Sequence, residues 1–382
     1  MAKRSLKGCG CAIAVLVVVL GAAGFVGWKF VLPWWKIKPP PPSGGELQVH
    51  VLDVGPINGD SILIISPTGR AVLLDAGDKG KGKVVLDALK RYNVAQLDYF
   101  ITTHPHPDHI GGADEVIKAT KVLNVIDNGL GPDLPESFAS QTKASDATAG
   151  KKAAKNKPAG KKLDKAASII RFYDEYKDAV GKSGAHYEKA QPGAVYEIGG
   201  GARLTILAPS EPYFTKDHTK TGGNPANANS VVARLDYGDF SMLLPGDAEE
   251  QTEHRMLTRD VNLKAKIVKV AHHGSKYATA QDLVDRVKPE VAIISCGEWN
   301  RYGHPAQVVL DRLRAANVKL YRTDLQGEIT ITTRGKESDY VIKTAKEATS
   351  DLWAGRIAQK DDSSRSGFIA YGDFGPPPKA KK

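Results

Sequence analysis

Four apolar stretches of this chain stop on an acid or an imidazole. They are "AVLLDAG" (71–77), "LDYFITTHPHPDH" (97–109), "SMLLPGD" (241–247) and "KIVKVAHH" (266–273). Short runs of Val, Leu and Ile bounded by Gly or Pro read as buried strands. Polar groups at the ends of such strands are useful together only if the fold gathers them at one rim. That demand favours a layered α/β architecture over a helical bundle or a disordered chain.

The rest of the pattern agrees. Strands are also expected at 47–54, 61–66, 203–208, 230–237, 240–245, 291–296 and 328–333, and helices at 83–92, 164–180, 247–258, 279–287 and 305–316. A hydrophobic share of 41% supports a real core, and three cysteines do not make a disulfide framework.

Charge is uneven along the chain. The net charge is +10, but residues 1–38 carry six Lys or Arg and no acid, and residues 143–165 carry eight Lys against two Asp. Three more lysines stand in the last four residues, so the remainder is mildly acidic. The basic excess therefore gives no reason to expect a cationic nucleic-acid groove on the folded part.

Residues 8–28 hold no charge and are flanked by Lys3, Arg4, Lys7 and Lys29. About 20 apolar residues cross a bilayer, so residues 1–37 are expected to be a signal anchor that spans at 11–32. The large polar domain after it favours an extracytoplasmic location. "KPPPPSGG" (38–45) reads as a linker that is stiff and then flexible. The main domain is expected over 46–345, with a disordered Lys/Ala-rich insert at 130–165 and a disordered tail at 346–382.

The run His104-Pro-His106-Pro-Asp108-His109 places four metal-capable side chains in six residues. Imidazole and carboxylate together suit zinc and similar borderline ions. His104 and His106 alternate and point the same way on an extended loop; Asp108 and His109 follow at a turn and can face a second position. Gly111 and Gly112 would let a helix start close by. Asp247, the pair His272 and His273, and His304 in "NRYGHP" are further candidates, and Asp75 could orient a histidine from behind.

"HPHPDH" followed by "GG" resembles the signature of the metallo-β-lactamase fold superfamily. The finer resemblance is to the hydrolase domain of the ComEC competence protein and its stand-alone relatives. It is carried by "LDVGPINGDSILI", "LLDAG", "LDYFITTHPHPDHIGG", "NANSVVARLDYGDFSMLLPGDAEE", "KIVKVAHHGS", "VAIISCGEWNRYGHP" and "YRTDLQGEITI", spread over residues 46–333 outside the insert. The resemblance implies an αββα sandwich with two divalent ions at one edge, zinc ahead of manganese. His104 and His106 would bind one ion and Asp108 and His109 the other, with Asp247 as the bridge. His272 matches the late metal-binding histidine, and the neighbouring His273 stays open for that role.

The implied activity is hydrolysis of a phosphodiester, with DNA among the candidate substrates, by a hydroxide held between the ions. Asp108 or Asp247 would take the proton, and His273 or His304 would stabilise the developing charge. Asp60, Asn229, Ser230 and Ser275 are expected behind the ions or against the substrate. Phosphocholine esters, lactams and lactones are alternative substrates, and a membrane-tethered binding protein with a degenerate metal site is the non-catalytic alternative. The chain also departs from the pattern. "DVGPINGD" is longer than the usual "DVGQGD", and "NANS" stands where the wider superfamily has a further histidine, which suggests a leaner first metal site.

Overall fold

The computed structural model describes residues 45–132, 160–218, 224–259, 261–300 and 302–357. The expected anchor and nearly all of the expected linker lie outside these residues. Among the described residues, no helix is long and apolar enough to cross a membrane.

The first half of the domain supplies β1 (Leu47–Val51), β2 (Ile62–Ile65), β3 (Ala71–Leu74), β4 (Gln96–Ile101), β5 (Lys121–Asp127) and β6 (His186–Lys189). The second half supplies β7 (Val195–Gly199), β8 (Ala202–Ala208), β9 (Val232–Tyr237), β10 (Phe240–Leu244), β11 (Ile267–Lys269), β12 (Val291–Ile294) and β13 (Lys319–Arg322). β14 (Ile329–Thr333) and β15 (Val341–Thr344) close the domain. One sheet runs β15-β14-β1-β2-β3-β4-β5-β6 and the other runs β13-β12-β11-β10-β9-β8-β7.

Each sheet changes character partway across. β1, β2 and β3 pair antiparallel, whereas β3, β4, β5 and β6 pair parallel. β8, β9 and β10 pair antiparallel, whereas β10 to β13 pair parallel. Parallel neighbours need crossover connections, and helices provide them. These include Gly82–Arg91 in the first half, and Glu250–Leu257, Gln281–Val287 and Gln307–Ala315 in the second.

Strand alternation explains the layering. Leu47, Val49, Val51, Ile62, Ile64, Val72 and Leu74 meet Leu204, Ile206, Leu235, Met242 and Leu244 between the sheets. The intervening residues Leu63, Ile65, Ala71 and Leu73 face outward onto Val85, Leu89, Val116 and Tyr176 of the first helical layer. On the other side, Val268, Ala292 and Ile294 meet Met256, Leu283, Val284, Leu310 and Leu313. Both faces of the central strands are covered, so these strands read as unbroken apolar runs rather than alternating ones. The result is the expected two-sheet α/β sandwich.

Two boundaries differ from the sequence reading. The helix expected at 164–180 spans Gly160–Ser183, so the end of the expected insert is helical; residues 133–159 lie outside the described residues. The tail is not free from residue 346. Arg322 is fully buried and donates from Nη1 to the carbonyls of Leu352 (2.8 Å) and Ala354 (2.7 Å). Arg356 reaches Asp324 at 2.6 Å, and Leu352 and Trp353 pack on the outer core of the second sheet. A buried guanidinium needs acceptors, and backbone carbonyls of this segment provide them. Composition does not reveal such a partner.

Candidate metal centre

The parallel strands deliver the polar residues from their carboxyl ends, where ligands bind in open α/β sheets. Asp75 follows β3, Thr103 and His104 follow β4, Asp247 follows β10, and His272 and His273 follow β11. In each sheet the junction of antiparallel and parallel pairing lies among these same strands. The loop at 102–106 then enters a short helical turn, Pro107–Ile110, that carries Asp108 and His109. Gly111 is required there, because a Cβ would lie 2.3 Å from the nitrogen of Lys79 and from the carbonyl of Pro107. The next helix, Ala113–Ala119, starts directly behind the site.

Three histidines have their outer nitrogens fixed from behind. His109 Nδ1 donates to Asp75 Oδ2 (2.7 Å) and His273 Nδ1 donates to the carbonyl of Ser295 (2.9 Å). Thr103 Oγ1 donates to Asp75 Oδ2 (2.8 Å), so it is left to accept from His104 Nδ1 (3.0 Å). Each ring therefore turns Nε2 toward the same hollow, the arrangement that orients metal-binding imidazoles.

Two groups gather there. His104, His109 and Asp247 form one set, and Asp108, His109 and His273 form the other, each with ligand atoms within 4.8 Å of one another. Asp60 joins Asp247 and His273 in a further set. His109 Nε2 lies 3.2 Å from Asp247 Oδ2, while His273 Nε2 lies 3.4 Å from Asp108 Oδ2 and 3.5 Å from Asp247 Oδ2. His106 Nδ1 is 2.9 Å from His104 Nε2.

The buried atoms Asp60 Oδ1, His109 Nε2, Asp247 Oδ1 and His273 Nε2 have no hydrogen-bond partner. Leaving such a group unsatisfied costs about 1–3 kcal/mol each. Two carboxylate oxygens and two imidazole nitrogens, stranded together, fit divalent cations, so the donor set suits the ions that the sequence implies.

The electrostatics describe the same hollow. Burial would raise Asp60, but Lys269 and His273 pull it down to about 2. Burial likewise opposes ionisation of Asp247 and Asp108, yet His109 and His273 hold both well below the usual carboxylate range. The reciprocal pressure overcomes desolvation at His273, where Asp247 and Asp60 raise the imidazole to about 10. His109 is also raised, by Asp247 and Asp75. His104 moves the other way, because burial and the neighbouring rings of His109 and His106 disfavour its charged form.

The adjacent histidines separate clearly. Both take left-handed backbone angles, with φ of 49° at His272 and 53° at His273. This conformation is uncommon for residues other than Gly. The double turn sends His273 into the hollow with Asp108 and Asp247. His272 instead faces Glu249 (3.6 Å from Nδ1) and Asn227 (3.3 Å from Nε2), and stands 3.8 Å from Asp247. Burial lowers His272 to about 4 and raises Glu249 to about 7.

The remaining expected residues take varied positions. Asp75 backs His109 and Thr103, and Ser230 Oγ contacts His104 Nδ1 (3.3 Å) and accepts from Asp247 N (3.3 Å). Asn229 is used elsewhere: its amide binds Phe214 and Pro225 and pins their loops. Ser275 closes a local turn by accepting from Tyr277 N. His304 lies at the rim, its ring near-parallel to those of His273 and Tyr302. Burial, with His272 and His273 beside it, lowers His304 to about 3.

Lys269 was not expected. It is fully buried, pairs with Asp60, and donates to the carbonyl of Gly246 (3.2 Å) beside Asp247. Its signal in the sequence is a lone charge inside the apolar run "KIVKVA". Thr103 is likewise unmarked in the sequence, and Asn227 is marked only as part of a motif. Asn227 hides within the "NANS" quartet, and Thr103 looks like an ordinary strand-end threonine.

The comparisons with known proteins agree with this geometry. The family model described as the metallo-beta-lactamase superfamily matches residues 54–298. ComE operon protein 3 of Bacillus subtilis (strain 168) is 28% identical, over 76% of this chain and 33% of that protein. Competence protein ComA of Neisseria gonorrhoeae is 26% identical, over 81% of this chain and 34% of that protein. The chain thus spans about a third of the length of these curated relatives. Among solved structures, the metallo-beta-lactamase fold protein YhfI of Bacillus subtilis aligns with a TM-score of 0.39 at 15% identity, over 72% of this chain and 96% of that one. With a matching model over well over half its length, and with competence proteins of the ComEC type among its relatives, the chain belongs to the metallo-beta-lactamase superfamily.

Proposed function

We propose that this protein is a membrane-tethered, binuclear metal-dependent hydrolase of phosphodiesters. The observation that carries it is the set of stranded donors, Asp60 Oδ1, His109 Nε2, Asp247 Oδ1 and His273 Nε2, packed together at the strand ends. Divalent ions bound there would make water nucleophilic near neutral pH and offset charge on the attacked group.

The chain's own side chains do the rest. Asp75 and the Ser295 carbonyl hold His109 and His273 with Nε2 inward. Asp247 lies between the two donor groups and suits a bridging role. Asp108 is the carboxylate of the set with an exposed side, at 25% relative side-chain accessibility, and is placed to take a proton from attacking water. His304, uncharged at the rim, would donate to a phosphoryl or leaving-group oxygen. Phosphodiesters are favoured by the likeness to competence proteins, and DNA is one candidate among them. The apolar run at 8–28 supplies the tether.

A substrate panel on purified full-length protein, loaded with zinc or manganese, tests this reading. Single-stranded DNA, bis-p-nitrophenyl phosphate, a phosphorylcholine ester and nitrocefin should separate the classes. Turnover of the first two is expected, with Asp108→Ala lowering it by roughly 100-fold or more, since even removing a partner behind a ligand costs about 10–100-fold. Normal turnover by Asp108→Ala would refute the assignment. Turnover of nitrocefin alone would move the substrate class to lactams.

A further inference from the structure

The loop "GPING" (55–59), which is longer than the pattern the sequence resembles, is wired to the segment that carries His304. Trp299 N donates to the carbonyl of Pro56 (2.7 Å) and Ser295 Oγ donates to the carbonyl of Gly59 (2.9 Å). Gly297 permits the approach, since a Cβ there would lie 2.3 Å from backbone atoms of Ile57 and Pro56. At the centre of this contact is Asn58, which is 2% exposed.

Two hydrogen bonds of Asn58 decide the state of His304. Gly297 N can only donate, and it meets Asn58 Oδ1 at 3.1 Å, which fixes the orientation of the amide. The other end of that amide, Nδ2, can only donate, and it meets His304 Nδ1 at 3.2 Å. His304 Nδ1 must therefore accept and carries no proton. In a neutral imidazole the proton then sits on Nε2, at the ring edge away from Asn58.

The backbone that carries the ring is pinned as well. Its nitrogen donates to Asn300 Oδ1 (2.7 Å), and Asn300 Nδ2 donates back to the His304 carbonyl (2.6 Å). The ring also lies edge-on to His272, with centroids 5.3 Å apart.

We propose that Asn58 is a positioning residue that locks His304 as the Nε2–H tautomer and so gives the site a fixed, uncharged hydrogen-bond donor toward the substrate. The proposal rests on the hydrolase reading for its purpose but not for its geometry. A donor held in place before reaction needs no reorganisation when charge develops, and removing one such donor typically costs about 10²–10³ in kcat.

The decisive variant is Asn58→Asp, which keeps the shape but replaces the Nδ2 donor with an acceptor. The carboxylate would draw the His304 proton to Nδ1 and leave Nε2 bare. Nitrogen-15 spectra of histidine-labelled, zinc-loaded protein, with the His304 signals assigned from His304→Ala, should show Nε2–H in the wild type and Nδ1–H in Asn58→Asp. Turnover of bis-p-nitrophenyl phosphate should fall about 100-fold in kcat with little change in KM. In the His304→Ala background, the same Asn58→Asp change should cost almost nothing.

A wild-type His304 protonated on Nδ1 overturns the proposal even if Asn58→Asp fails to fold. So does an equal loss from Asn58→Asp with and without His304. Absence of wild-type turnover on every phosphodiester would sink the hydrolase reading instead, while the spectrum would still report the tautomer.

Discussion

The two halves of the donor hollow are unequal. On one side, Asp60, Asp108, Asp247, His109 and His273 crowd together, and four of their buried atoms are stranded without partners. On the other, His104 and His106 stand with Asp247 and the shared His109, and the quartet at 227–230 offers an amide and a hydroxyl where a further imidazole would be needed. Lys269, buried beside Asp60, shows how acidic the crowded side is, since burying an ammonium is tolerable only against strong negative charge. A cation on the crowded side would satisfy several stranded atoms at once; one on the lean side would rely on fewer and more neutral ligands. The crowded side should therefore hold its ion tightly and the lean side should exchange it.

The largest effect should separate the adjacent histidines after β11. His273→Ala removes an inward Nε2 that lies within 3.5 Å of both Asp108 and Asp247. It should lose the tightly held ion on dialysis and lower turnover by more than about 100-fold. His272→Ala changes a residue that faces Glu249 and Asn227, and should keep that ion. Metal content of both variants by elemental analysis checks this. Loss of the ion from His272→Ala, with retention in His273→Ala, would reverse the placement of the two rings.

A second test uses pH to tell the halves apart. Without a cation, Asp247 and Asp60 keep His273 protonated up to about pH 10, and His109 is raised as well. A cation must expel these protons to reach Nε2. Affinity on the crowded side should therefore rise with pH across the neutral range, about tenfold per unit for each proton expelled. His104 is shifted downward and is already unprotonated at neutral pH, so the lean side, where only the shared His109 has a proton to lose, should gain affinity with pH less steeply. Calorimetric zinc titrations in buffers of different ionisation enthalpy measure the proton count of each step. Equal counts for the tight and weak steps would remove the asymmetry.

This asymmetry was only partly legible in the sequence. The short run His104–His109 exposes four donors at once, and the apolar strands announce both sheets. The ends of those strands point to Asp75 and Asp247 with no further information. The choice between His272 and His273 was not legible, because it depends on two consecutive left-handed residues that no spacing rule anticipates. Lys269 was hidden by the habit of reading a strand lysine as exposed; here β11 is covered on both faces, and the charge is answered by an acid from a loop far away in sequence. Asn58 was obscured by an insertion that moves it out of the familiar pattern. The strands β5, β6, β7, β13 and β15 are absent from the sequence reading; in β6, β7 and β15 exposed positions break the apolar runs.

The smallest effect concerns Ser230, which marks the lean side. Its hydroxyl is 3.3 Å from His104 Nδ1 and accepts from Asp247 N at 3.3 Å. Both contacts are long, and His104 Nδ1 already has a better partner in Thr103 Oγ1 at 3.0 Å. Ser230→Ala should therefore leave the imidazole oriented and only loosen the turn that presents Asp247. A hydrogen bond of this kind contributes about 0.5–1.5 kcal/mol, which corresponds to a loss of roughly 2- to 13-fold in affinity for the more weakly held ion. The tightly held ion should be affected less, because of the residues on its side only Asp247 touches Ser230, whereas His109, His273 and Asp108 do not. Competition titrations with a chromophoric chelator resolve the two steps. A larger loss in the tight step than in the weak one would mean that Ser230 supports the crowded side, and the division drawn between the halves would have to be redrawn around Asp247.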